Sequence, residues 1–267
     1  DLGVYFEIDS FLPEIPEFEF LRKSCLKKMG DKNGFRLKTI RLKGTLSQGL
    51  LIPLSSVKSL IDGKNVDLSL DADLTDVLGL EDAFEGITHV IHCGALVSFD
   101  SRDKRALAKT NIEGTANMVN LAIENNIQKF IYISSIAALG RNTNDHLIHE
   151  DVKFEDSPSN SFYAITKNLG EMEVWRGKAE GLDVRILVPG LILGSGFWKV
   201  GTNGFFNHVW RGSKFYPQGT TGFVDVRDIA DFAIRMLDHE GSQEKFLMIG
   251  RNVSYKECLE IIASKLE

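Results

Sequence analysis

Cysteine is scarce. The 267 residues hold only Cys25, Cys93 and Cys258, too few and too scattered for a disulfide framework or a thiolate zinc site. That sparing use points to a reducing compartment, so a cytoplasmic protein is expected. No apolar run approaches the roughly eighteen residues that a membrane-spanning helix requires. The start, D-L-G-V-Y-F-E-I-D, lacks an initiator methionine and the basic and apolar regions of a signal peptide, which leads us to expect a piece of something longer. There is no internal repeat and no low-complexity segment. Nor do the first eighty residues contain a G-x-G-x-x-G or G-x-x-G-x-x-G turn, the pattern that lets backbone close on a phosphate at a helix N-terminus.

What is present fits a globular chain, with 43% hydrophobic and 25% charged residues. Its length allows one large α/β domain, or a medium domain with a smaller one attached. Net charge is −6, yet within residues 22–43 nine basic side chains (Arg22, Lys23, Lys27, Lys28, Lys32, Arg36, Lys38, Arg41, Lys43) face Asp31 alone. Such a stretch is either a solvated basic face or a surface for nucleic acid or phosphate.

The chain has two grammars. From residue 88 onward short apolar runs alternate with long amphipathic ones, predicting parallel strands joined by crossover helices. Strands are expected at T-H-V-I-H-C (88–93), F-I-Y-I-S-S (130–135) and V-R-I-L-V-P (184–189), and helices over about Asp103–Asn126 and from Tyr163 to about residue 180. Ser254 and Glu257 have the spacing of a capping box that opens a final helix. Residues 1–66 read differently. V-Y-F-E-I-D, G-F-R-L-K-T-I-R-L-K-G and G-L-L-I-P-L, with one basic helical piece around Phe18–Met29, predict a small β-rich module and a boundary near residues 67–80.

The second half carries the chemistry. In S-F-Y-A-I-T-K (161–167), Tyr163 and Lys167 are four apart and share a helix face. An ammonium beside a phenol lowers its pKa from about 10 towards the working range and makes it a usable acid or base. Ser135 ends a predicted parallel strand, where an open α/β sheet exposes its binding crevice.

Those residues sit among seven motifs in a recognisable order: A-D-L-T-D (72–76), H-V-I-H-C-G-A (89–95), T-N-I-E-G-T-A-N (110–117), I-S-S-I-A-A-L-G (133–140), Y-A-I-T-K (163–167), V-P-G-L-I-L-G (188–194) and G-F-V-D-V-R-D-I-A (222–230). Residues 71–267 thus resemble an extended short-chain dehydrogenase/reductase of the NAD-dependent epimerase/dehydratase and dihydroflavonol-reductase-like group. The resemblance implies a Rossmann-like, doubly wound parallel sheet, with the C-terminal part binding substrate. It implies hydride transfer between NAD or NADP and a carbonyl or secondary alcohol, with Ser135, Tyr163 and Lys167 as the catalytic set. Lys167 would also bond the nicotinamide ribose. Cys93, Gly94 and Ala95 would pass close to the cofactor together with Ser134, although the family usually has alanine where Gly94 stands. Pro189, Gly190 and Leu191 would border the nicotinamide, and Asp73 with Leu74 would contact adenine. Asn111, at a characteristic helix position, is either structural or catalytic. A homodimer through the two long helices is also implied.

The family's first Gly-rich β-α-β unit is what the sequence lacks. In its place V-Y-F-E-I-D-S-F-L-P (4–13), F-E-F-L-R-K-S-C (18–25), G-F-R-L-K-T-I-R-L-K-G (34–44) and L-S-Q-G-L-L-I-P-L (46–54) resemble the OB-type module of Deinococcus-type bacterial RNA ligases. The expected domains are therefore a partial OB-like module over 1–70 and the reductase-like domain over 71–267, with weak cofactor binding. The alternatives are an RNA-binding or RNA-repair fragment, or an inactive fusion. L-K-G-T at 42–45 lacks the acidic residue of a K-x-D/E-G nucleophile motif. OB modules bind strands through basic grooves and aromatics, so Phe18, Phe20 and Phe35 are either nucleic-acid contacts or core. His146, His149, Glu150 and Asp151 lie in a polar loop without a third anchor, and no metal is expected. Phe197, Trp198, Phe205, Phe206 and Trp210 line a pocket or fill a core.

Overall fold

In the computed structural model, residues 3–7, 36–42, 69–84, 87–140, 148–194, 201–212 and 215–266 are described. Seven of their strands share one sheet: β1 (Gly3–Glu7), β2 (Arg36–Leu42), β3 (Ser69–Ala72), β4 (His89–His92), β5 (Lys129–Ile133), β6 (Val184–Pro189) and β9 (Lys245–Met248). The order is β3-β2-β1-β4-β5-β6-β9, and every neighbouring pair is parallel. Parallel neighbours cannot be joined by hairpins, so the chain returns through crossovers.

Both faces of the part formed by β4, β5 and β6 are covered, and the strand period of two decides which residue goes where. Val90, Phe130, Tyr132, Val184, Ile186 and Val188 enter one core with helices α1 (Val77–Phe84), α3 (Gly114–Glu124) and α4 (Phe162–Ala179). Ile91, Ile131 and Leu187 enter the other, under α6 (Val226–Met236). The helix expected over Asp103–Asn126 is a short α2 (Lys104–Ala108) running through a π turn at Lys109–Glu113 into α3.

A smaller sheet joins β7 (Leu191–Leu193), β8 (Thr220–Asp225) and β10 (Arg251–Ser254), backed by α5 (Gly204–Trp210) and α7 (Tyr255–Leu266). The chain crosses from β6 to β7 at Gly190, where a Cβ would stand 2.3 Å from the carbonyl oxygen of Gly222. Only glycine fits there. The expected cap is present, since Ser254 Oγ accepts from the Glu257 amide at 3.1 Å, while the Glu257 carboxylate takes Arg251 at 2.8 Å rather than returning the bond.

The sheet continues into the segment read as a separate β-rich module. Val4 pairs with His89 and Gly3 with Arg36, and β2 pairs in turn with β3. The expected helical piece Phe18–Met29 and the strand at 49–54 lie outside the described residues.

Candidate active site

Strand order reverses between β1 and β4, and in an open parallel sheet the crevice beyond the carboxyl ends at that point receives ligands. β4 runs out there into Cys93, Gly94 and Ala95, the last two buried. Asn111 fixes the turn that follows. Its Oδ1 accepts from the Leu96 amide at 2.7 Å, and its Nδ2 donates to Leu96 O at 3.0 Å and to Thr166 Oγ1 at 3.1 Å. The residue lies in the π turn, a local widening of the helix that recurs at functional sites. Thr115 Oγ1 donates to Asn111 O at 2.8 Å, which uses its one proton. His92 Nε2, 3.1 Å from the same hydroxyl, must therefore carry the hydrogen of that bond.

β5 ends in the second group. Ser135 has extended backbone and its Oγ accepts from the Ala137 amide at 3.2 Å, capping a short 3-10 turn. That bond leaves the hydroxyl proton to be donated. α4 starts behind Ser161, whose Oγ accepts from Ala164 at 3.1 Å, and this places Tyr163 at the second helical position. The Tyr163 ring meets Phe99 edge-on at 5.8 Å. One turn further, Lys167 is 1% exposed. Its Nζ donates to Tyr132 Oη at 2.9 Å and to Ile133 O at 3.0 Å. Through these bonds the helix bearing Tyr163 is tied to the strand end that presents Ser135.

The other expected residues follow the same sheet edge, after β3, β4, β5 and β6. Asp73 is exposed, and its carboxylate accepts from Thr75 N at 2.9 Å and Thr75 Oγ1 at 2.7 Å. Leu74 is buried beneath Gly114, with its carbonyl bonded to Asn117. Ser134 is committed within the protein, donating to Glu171 Oε2 at 2.7 Å, and the same carboxylate holds Lys245 at 2.5 Å. Pro189 and Gly190 are buried and Leu191 half-buried where β6 gives way to β7. Sequence reasoning missed Tyr132, Thr166 and His92. The signal was available for Tyr132: a hydroxyl within the apolar run F-I-Y-I (130–133) needs a partner.

Residues 54–250 match the model of the NAD dependent epimerase/dehydratase family. The chain belongs to that family. Among relatives of this epimerase/dehydratase-family protein, cinnamoyl-CoA reductase 1 of Oryza sativa subsp. japonica is 28% identical over 215 residues, covering 76% of this chain and 62% of that one. Sterol demethylase protein B of Methylococcus capsulatus is 28% identical over 206 residues, covering 75% and 61%. The chain thus spans less than two thirds of the length of these curated relatives. Solved structures share the fold. The Bordetella bronchiseptica enzyme WbmH in complex with NAD+ has a TM-score of 0.72 at 19% identity, over 99% of this chain and 81% of that one. DesIV, the dTDP-glucose 4,6-dehydratase of Streptomyces venezuelae with NAD and TYD bound, has a TM-score of 0.73 at 18% identity, over 99% and 80%. Residues 1–54 match an OB-fold domain model. OB barrels are antiparallel, whereas β1 and β2 pair in parallel; the match describes the residue pattern, and the pairing describes where the backbone lies.

The residues of the crevice fit the nicotinamide-ribose half of a dinucleotide. Lys167 brings a cation, Ser135 a hydroxyl with its proton to give, and Gly94 and Ala95 keep side-chain bulk low. The pyrophosphate half would fall after β1, where I-D-S-F-L-P-E (8–14) has no glycine and lies outside the described residues.

Of the remaining candidates, Phe205 and Phe206 pack with Tyr255 against Phe223, Val253, Cys258 and Ile262, which form the core of the smaller sheet, whereas Trp210 is 67% exposed. Phe197, Trp198 and His146 lie outside the described residues. His149 Nδ1 is 3.9 Å from Asp151, and Glu150 instead accepts from the Leu247 amide. Among the described residues no group of three or more His, Cys, Asp or Glu side chains could hold a metal, and no helix is long and apolar enough to cross a membrane.

Proposed function

We propose that this protein is an NAD(P)-dependent oxidoreductase acting on a carbonyl or secondary alcohol. The observation that carries the reading is the buried tie from Lys167 to Tyr132 and Ile133, which joins the helix bearing Tyr163 to the strand end bearing Ser135. When bound, the nicotinamide supplies the hydride chemistry. Tyr163 gives a proton to the substrate oxygen in reduction and takes it back in oxidation. Ser135 donates a hydrogen bond through its hydroxyl to that same oxygen and orients it, keeping its own proton. Lys167 places a fixed positive charge one helical turn from the phenol and would hold the ribose. Cys93, Gly94, Ala95, Pro189, Gly190 and Leu191 would flank the cofactor, with Ser134 bracing the site through Glu171 and with Asp73 and Leu74 at the adenine end.

Cofactor affinity is low in this reading. A glycine turn contributes several backbone bonds to charged oxygens, each worth about 1.5–3 kcal/mol, so losing two or three weakens binding at least about a hundredfold. The division into 1–70 and 71–267, a cytoplasmic site of action and a homodimer belong to the same proposal. Leu169 and Met172, exposed on α4, support the dimer.

A second reading, binding of nucleic acid by the N-terminal segment, is favoured by the OB-fold match over 1–54 and the nine basic residues of 22–43.

Hydride transfer is the test. A panel of carbonyl compounds is offered with millimolar NADH and NADPH. The assay uses the chain as it stands, and the chain with residues 1–70 replaced by a β-α-β unit that has a Gly-rich turn. Turnover of one substrate class supports the reading. A graft that folds and binds cofactor yet transfers hydride to nothing on the panel overturns it.

A further inference from the structure

A buried ammonium needs acceptors for its hydrogens, and what surrounds Lys167 divides into two kinds. Ile133 O is backbone, which any sequence would supply. Tyr132 Oη belongs to a specific side chain, fully buried between Ile131 and Ile133 on β5 and paired in register with His92 on β4 and Ile186 on β6. The Tyr132 ring also lies beneath the ammonium, with Nζ 4.4 Å from its centroid, so the residue offers a lone pair and a π face together. Its place is set by close packing from α4. A Cβ on Gly170 would come within 2.9 Å of Tyr132 Oη and 2.4 Å of Asn111 O. Strand β5, helix α4 and the π turn therefore meet at this oxygen.

We infer that Tyr132 is the positioning residue for Lys167, and that its phenol fixes where the charge serving Tyr163 stands. The inference rests on the activity proposed above but makes its own demand: the Lys167 ammonium depends on the Tyr132 hydroxyl in the protein alone. Charged and titratable groups among the described residues stand around this site. Tyr163 lies on the same helix, and His92 lies behind the Tyr132 ring at 5.5 Å. Glu171, one turn along α4, is engaged by Ser134 and Lys245.

The test uses the whole chain without added cofactor, labelled with 13C at lysine Cε. The Lys167 resonance is assigned by its loss in Lys167→Met and followed against pH. Tyr132→Phe keeps the ring and its π face and removes only the hydroxyl. Losing an acceptor disfavours the charged form, so the Lys167 midpoint is expected to fall by about one unit or more, the worth of a hydrogen bond to a charged group, with the other lysines unmoved. An unchanged midpoint overturns the inference. If Tyr132→Phe does not fold, the contact is read from the other side through the tyrosine Cζ resonances, assigned by replacing the other four tyrosines singly. The Tyr132 signal must move in Lys167→Met, and a stationary signal overturns the inference. A fallen midpoint without hydride transfer in any form of the chain leaves the positioning intact and removes the proposed activity. Tyr163-dependent transfer with an unchanged midpoint does the reverse.

Discussion

The side-chain amide of Asn111 and the peptide of Leu96 exchange two hydrogen bonds, 2.7 Å from Leu96 N to Oδ1 and 3.0 Å from Nδ2 to Leu96 O. A side chain thereby takes the place that a neighbouring strand would have taken beyond the end of β4. Asn111→Leu keeps the branching at Cγ but strands both buried peptide groups of Leu96, each costing about 1–3 kcal/mol. We expect a loss of about 2–6 kcal/mol in urea unfolding with an unchanged m-value. A variant as stable as the parent would mean that the turn holds itself.

Gly170→Ala tests the meeting of α4 with the π turn. Alanine improves intrinsic helix propensity by about 1 kcal/mol over glycine, yet its Cβ would stand 2.4 Å from Asn111 O. Backbone must move, and overpacking of this kind costs about 1–3 kcal/mol. A net loss of stability on thermal unfolding is expected, and a gain would contradict the packing described.

Glu171 is 3% exposed and gathers Ser134, Lys245 and Trp175. Glu171→Leu removes one partner of a largely buried ion pair and should destabilise by about 3 kcal/mol, much of which Lys245→Met in the same chain should restore. Strictly additive single and double variants would show that the pair is not coupled.

Below neutrality His89 governs part of the pH response. Burial first, and the nearby Lys129 second, hold its imidazole below the ordinary value of 6.5, with Asp238 and Asp183 pulling the other way. The unfolded chain therefore binds the proton more readily than the native one. The stability linked to His89 is present above about pH 6.5 and is lost as pH falls through the folded value. In urea unfolding from about pH 7 to 5 the parent should lose stability more steeply than His89→Gln. Parallel profiles would remove His89 from the account.

Much of this was readable from periodicity. The strands at 88–93, 130–135 and 184–189 and the helix carrying Tyr163 have patterns that only one packing satisfies, and the Ser254 cap follows from local spacing. What sequence could not supply was partnership across the fold. Ser134 and Ser135 are adjacent and chemically alike, yet one is bound to Glu171, thirty-seven positions away, and the other caps its own turn. The parallel placement of β1 and β2 was hidden for a related reason, because a strand of five residues has the same local pattern in a barrel as at the centre of an open sheet.

Affinity for NADH and NADPH, followed by fluorescence titration, is expected to be far weaker than low micromolar for either. Low-micromolar binding would show that the segment after β1 builds a phosphate cradle without glycines.

In the proposed reaction Tyr163 moves the proton. Once a carbonyl substrate is in hand, the decisive quantity is the single-turnover rate of hydride transfer at saturating reduced cofactor, compared between the parent and Tyr163→Phe. Removing the phenolic proton while keeping the ring should slow that step by about two to four orders of magnitude, with stability little changed. A Tyr163→Phe protein that reduces the substrate as fast as the parent would contradict the assignment.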